Sequence, residues 1–209
     1  MADLVNKCFS EADFEAIKNA VAEAEARTSG EIVIRLAPRS HGWLIERLFA
    51  AAIISIFAIL ISLWVTRDQN WGVYYDFTQG TLWGAIGLVA GYFALGAILQ
   101  NPSRRRRIVW DRALKLFAAL TPTRDSTGVL IFVSLTERCG VIVADKNIAS
   151  KLPPDYWNHP QSMLEDAIKR DRHSEGIISA VREIGAKLTE HFPRSADDTN
   201  ELSDRPEIV

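Results

Sequence analysis

Four carboxylates stand where chain segments begin, turn or end. Glu31 directly follows Gly30, Asp125 precedes an apolar run, Glu137 sits in a short connection, and Asp145 follows a second apolar run. Hard cations such as Ca2+ and Mg2+ take oxygen ligands of this kind. The carboxyl end of a strand, where Asp145 is expected, is also where α/β folds place ligands. Glu31, Glu137 and Asp145 are therefore the candidate metal ligands. Their spacing matches no fixed metal motif, so they read equally as caps, turn formers and ion partners, with Arg35 or Arg138 available to Glu31. No catalytic residue is assigned, because the chain has no GxSxG, P-loop, HExxH or GxGxxG pattern. His41, His159, His173 and His191 fall in loops or at helix ends, where a histidine such as His191 complements the helix dipole. Cys8 and Cys139 have neither zinc nor disulfide-framework spacing.

The elements that must position these residues follow from periodicity. Ser10–Asp13 is a capping box, and Phe14, Ile17, Val21 and Ala24 recur at helical spacing before Thr28–Gly30 ends the helix. Ile32, Ile34 and Leu36 alternate along a strand from Glu31 to Ala37. Further on, Ser103–Leu120 reads as a helix. Gly128–Leu135, apolar on both faces, reads as a central strand paired antiparallel with Val141–Ala144. Helices follow over Tyr156–Arg170 and His173–His191. From Pro193 the tail is rich in Asp, Glu, Ser and Thr, which predicts disorder over residues 194–209. The order implies an α/β fold: a small mixed sheet with helices on both faces.

Between the first strand and the next helix lie two runs, Leu48–Val65 and Leu82–Leu99, each of eighteen residues without Lys, Arg, Asp, Glu or His. Eighteen residues of helix cover about 27 Å, close to the ~30 Å hydrocarbon thickness of a bilayer. They predict a transmembrane helical hairpin over residues 41–101, inserted into an α/β domain built from residues 1–40 and 102–193. The loop from Thr66 to Gly80 is aromatic and carries only Arg67, Asp68 and Asp76, whereas Arg104–Arg107 form a basic block. The positive-inside rule then places both termini in the cytoplasm. That block could also touch anionic headgroups, but its plainer role is a topology anchor. Gly87 and Gly91 form a GxxxG pair. It packs by default on the first span, the alternative being a homodimer through the same face. Two uncharged spans offer no ion path, which argues against a transporter. A net charge of −2, from 24 Lys and Arg against 26 Asp and Glu, gives no reason to expect a nucleic-acid partner.

Three segments, AVAEAEARTSGEIVIRLA (Ala20–Ala37), TGVLIFVSLTERCGVIVADKNIASKLPPDYW (Thr127–Trp157) and GIISAVREIGAKLTEHFP (Gly176–Pro193), together resemble the TPM domain family. The resemblance covers nearly all the chain outside the spans and tail. It implies an α/β/α sandwich, of which bacterial versions with a two-span insertion exist. It also implies two functional options, since some members are acid phosphatases or calcium binders and many have no assigned activity. Two departures stand out: the members that named the family work outside the cytoplasm, and Cys139–Gly140 follows Glu-Arg where relatives carry a larger residue. The expectation is an integral inner-membrane protein with a cytoplasmic domain in an accessory or scaffold role beside a membrane-protein partner. The alternative is a Ca2+- or Mg2+-dependent phosphomonoester hydrolase using Glu31 and Asp145.

Overall fold

A computed structural model describes residues 2–40, 42, 44–65, 77–99, 101–120, 127–194 and 202–209. Asp125, His41 and residues 66–76 of the inter-span loop lie outside them. The chain divides into two compact units, one of Met1–Ser40 with Arg106–Val209, the other of His41–Arg105.

In the first unit, α1 (Ala2–Cys8) leads into α2 (Glu11–Glu25). The capping box at its start is reciprocal: the Asp13 amide donates to Ser10 Oγ at 3.2 Å, and the Ser10 amide donates to Asp13 Oδ2 at 2.9 Å. Phe14, Ile17, Ala20 and Val21 bury the apolar stripe. Then comes β1 (Glu31–Ala37), parallel to β2 (Gly128–Ser134), with Glu31 opposite Gly128 and Ala37 opposite Ser134. β3 (Cys139–Ala144) returns antiparallel to β2. The sheet order is β3-β2-β1-β4, so the architecture is mixed α/β around a four-stranded mixed sheet.

Alternation of side chains sorts the core into two layers. Ile32, Ile34, Leu36, Val129, Ile131 and Val133 share one cluster with residues of α2, α7 (Asn158–Lys169) and α8 (His173–His191). Val33, Leu130, Phe132 and Val141 share the other with Val109 and Ala113 of α5 (Pro102–Ala119). β2 is buried along its whole length because both faces are covered. Gly140 lets α7 close onto β3: a Cβ there would come within 2.6 Å of Ile168 and 2.7 Å of Leu164.

In the second unit, α3 (Leu44–Val65) packs along α4 (Phe77–Leu99). A Cβ on Gly91 would lie 2.8 Å from the Ala51 backbone, and one on Gly87 would lie 3.0 Å from Ala58. Ser55 Oγ donates to the Gly84 carbonyl at 2.7 Å. The GxxxG pair is thus used between α3 and α4. Among the described residues, one helix, Leu44–Val65, is long and apolar enough to cross a bilayer, where the sequence predicts two.

Several details differ from the expectations. The segment Tyr156–Arg170 opens with a 3-10 turn, Pro154–Trp157, before α7. Two short helices, α1 and α6 (Lys146–Lys151), are added. Val5 and Phe9, four apart, anchor the first of these in the core. The prediction of disorder over residues 194–209 is corrected for 202–209, residues 195–201 lying outside the described ones: β4 (Glu207–Ile208) pairs parallel with β1, and the Val209 amide donates to the Leu36 carbonyl at 2.9 Å. Average composition concealed this, because two apolar anchors suffice. Leu202 and Val209 pack against the α5-side core, and Glu207 pairs with Arg35. β4 thereby covers the outer edge of β1 over Arg35 and Leu36. On β3, the Gln161 side chain accepts from the Ile142 amide at 3.0 Å and donates to the Gly140 carbonyl at 2.6 Å.

Candidate functional site

The three carboxylates predicted as ligands do not converge. Glu31 and Asp145 lie at one end of the sheet, flanking Gly128: Glu31 is its register partner, and the Asp145 amide donates to its carbonyl at 2.9 Å. Their strands are separated by β2, about 9–10 Å in all. Glu137 lies beyond the other end, past the Ala37–Ser134 pair, and seven-residue strands at about 3.3 Å per residue put it roughly 20 Å away. A single ion cannot be held by all three. Among the described residues, no group of three or more His, Cys, Asp and Glu is arranged to hold a metal. The expectation for Asp145 also rested on its following a strand. That strand runs antiparallel, so its carboxyl end coincides with the amino ends of the parallel pair β1 and β2.

At the carboxyl end of the parallel pair, Glu137 is buried. It accepts from the Ser134 hydroxyl and, at 3.1 Å, from the Ser40 amide. It ties the exit of β1 to the turn after β2, the point where the chain leaves for α3. Beside it, Arg138 adopts a left-handed backbone with φ 49°, and its side chain reaches Asp171, itself at φ 58°. His173 Nε2 lies 3.9 Å from the same Asp171 carboxylate, and its ring is 5.8 Å from that of Phe9. Burial holds its pKa below the usual histidine value. Cys139 is buried, and its pKa is pushed up to about 11 by burial, which keeps it a thiol instead of a nucleophilic thiolate.

The amino end holds a group that periodicity missed. Glu25, at the last turn of α2, accepts from the Ile32 amide at 2.7 Å. Burial raises its pKa to about 8, and the neighbouring carboxylates Glu31 and Asp204 add to the shift. Three carboxyl groups are thus gathered from the end of α2, the start of β1 and the C-terminal segment, and at neutral pH Glu25 is mostly a neutral acid. The loop between α2 and β1 is pinned around them. Thr28 Oγ1 donates to the Phe192 carbonyl at 2.6 Å and accepts from the Gly30 amide at 3.1 Å, while Thr127 Oγ1 donates to the Ser29 carbonyl at 3.0 Å. Glu25 carried no signal in the sequence, where it is one of two glutamates, with Glu23, in a polar helix end.

A groove of about 230 Å³ runs between α2 and α8, floored by Ala20, Ala24, Gly185 and Ala186 and flanked by Arg27 and Arg182. It falls below the ~300–1,000 Å³ of small-molecule sites. The remaining described histidines are peripheral: His159 pairs with Glu183 at 2.7 Å, and His191 ends α8.

No family model matches the chain, and no curated protein matches it. Among solved structures it is similar to the BA42 protein from the psychrophilic bacterium Bizionia argentinensis, determined by NMR. The two share 20% sequence identity and a TM-score of 0.59, with 96% of this chain and 95% of that chain covered. At that identity the likeness is one of fold.

Proposed function

We propose that the chain is a two-pass inner-membrane protein whose α/β unit, TPM-like and cytoplasmic, works as an accessory or scaffold module for a membrane-protein partner. One observation carries the membrane part: α3 leaves its apolar side chains uncovered. Only 17% of its most apolar stretch is buried, and Phe49, Phe57, Ile61 and Trp64 are all more than half exposed. Water would penalise so large a patch, whereas hydrocarbon accepts it. α4 is treated as the second span because it packs on α3, carries no Lys, Arg, Asp, Glu or His, and exposes Leu82, Val89 and Phe93. A homodimer through Gly87 and Gly91 would have to displace α3, so the proposal assigns both glycines to the contact within the chain. The cytoplasmic placement rests on Arg104–Arg107.

The scaffold reading is supported by how the carboxylates are used. Glu137 and Glu25 both accept backbone amides, and Glu31 and Asp145 stand on either side of β2. The hydrolase alternative would need one ion to bridge that strand. Two experiments test the proposal. Alkaline carbonate should leave the chain in the membrane pellet, and a C-terminal reporter that works only in the cytoplasm should be active. Extraction into the supernatant overturns the anchor. Separately, purified chain should give no Ca2+- or Mg2+-dependent hydrolysis of p-nitrophenyl phosphate. Turnover abolished by Asp145→Asn would replace the scaffold reading with the hydrolase.

A further inference from the structure

The basic block after the second span is split by the fold. Arg106 pairs with Glu165 of α7 at 3.4 Å. Arg104, Arg107 and Lys115, all exposed, make no ion pair with any described residue. They share a helix face with Trp110 and Leu114, which are 41% and 42% exposed. The positions 104, 107, 110, 111, 114 and 115 recur at three- and four-residue intervals, and Val109 and Ala113 on the opposite side are buried against the sheet. The exposed face therefore combines three unpaired cations, one carboxylate (Asp111), an indole and an aliphatic side chain. A helix face that only had to meet water would not need Trp110 and Leu114. One that lay on a neutral surface would not need three unpaired cations.

We infer that this face of α5 is a docking surface for a bilayer carrying anionic lipid, with Trp110 and Leu114 entering the interface and Arg104, Arg107 and Lys115 meeting headgroup phosphates. The charge sign selects anionic headgroups, and the mixed apolar and basic face is that of an interfacial helix. Chain continuity supports the same occupant, since α5 begins at Pro102, three residues after α4 ends at Leu99. The inference rests on the membrane reading above and extends it: α5 itself becomes a lipid-binding element.

The test uses the full chain in nanodiscs, with Cys8→Ser and Leu114→Cys and an environment-sensitive NBD label at position 114; Cys139 is buried and remains. Emission should rise two- to threefold from pure phosphatidylcholine to 30% phosphatidylglycerol, and the rise should vanish at 0.5 M NaCl. Arg104→Glu, Arg107→Glu and Lys115→Glu together should abolish it. If that variant fails to fold, the three Gln substitutions serve in its place and should reduce the rise by at least half. In an unlabelled chain retaining Trp110 alone among its tryptophans, acrylamide quenching should fall by the same factor. Equal emission in both lipids, or a rise that survives charge reversal, overturns the inference. Carbonate extraction separates the failures: a chain that stays in the pellet but shows no lipid dependence loses only the surface contact, whereas an extracted chain loses the anchor as well.

Discussion

Glu25 shows how a single carboxyl group can make the fold sensitive to pH. Its pKa lies near 8 in the folded chain, above the ordinary value of 4.5. The folded state therefore binds the proton more tightly than the unfolded state. The stability this group contributes is fully present below about pH 4.5 and is lost as pH rises through about 8. Replacing it with Gln, which keeps the shape and stays neutral, should flatten that loss. Melting of the full chain in mild detergent between pH 6 and 9 should show the wild-type Tm falling by several degrees more than that of Glu25→Gln. Equal slopes would mean the group is solvated and ordinary. His173 has the opposite sense: its lowered pKa favours the neutral form, so its contribution is present above pH 6.5 and is lost as pH falls. At this scale the sequence identified Glu31, Glu137 and Asp145 as chemically capable. What a carboxylate meets was decided by chain segments far away: Ser40 for Glu137, and Asp204 for Glu25, a group the sequence did not single out.

Among the elements, β4 contributes stability that composition hides. A two-residue strand in isolation is negligible, but this one covers the outer edge of β1 and places Leu202 and Val209 on the core. Partial burial of two aliphatic side chains is worth on the order of 2–4 kcal/mol, and about 1 kcal/mol shifts Tm by roughly 2–4 °C in a chain this size. Deleting residues 202–209 should therefore lower Tm by about 4–16 °C. It should also speed hydrogen exchange over Arg35–Ala37 and raise the oligomer fraction on size-exclusion chromatography, because an uncovered edge strand pairs with other chains. Unchanged exchange over Arg35–Ala37 would show that the pairing contributes nothing. The longer elements were legible in advance. The His173–His191 helix carries its apolar stripe openly, and β2 is apolar at nearly every position. Edge elements were not legible, since an edge strand has only one partner and little local pattern.

For the whole molecule, the central fact is that β1 and β2 are adjacent in the sheet although α3, α4 and α5 lie between them in sequence. Parallel neighbours need a crossover, and here the apolar hairpin is carried within it. The α/β unit draws its core from both sides of the insertion. Replacing residues 41–101 with a Gly-Ser linker should therefore leave a water-soluble unit that melts in one cooperative transition and keeps mixed α/β circular dichroism. Aggregation or a non-cooperative melt would mean that the unit needs its hairpin.

The sequence by itself determined the longer local elements and the α/β class, along with the two apolar runs. Those properties are written in periods of two and 3.6 residues and in uninterrupted apolar length, which neighbours along the chain suffice to express. Only the tertiary structure decided which carboxylates meet, which arginines have no ion pair among the described residues and what covers the edge of β1. Those outcomes depend on groups as distant as Glu25 and Asp204, and a buried charge or an open edge takes its energy from whatever the fold brings within a few ångströms.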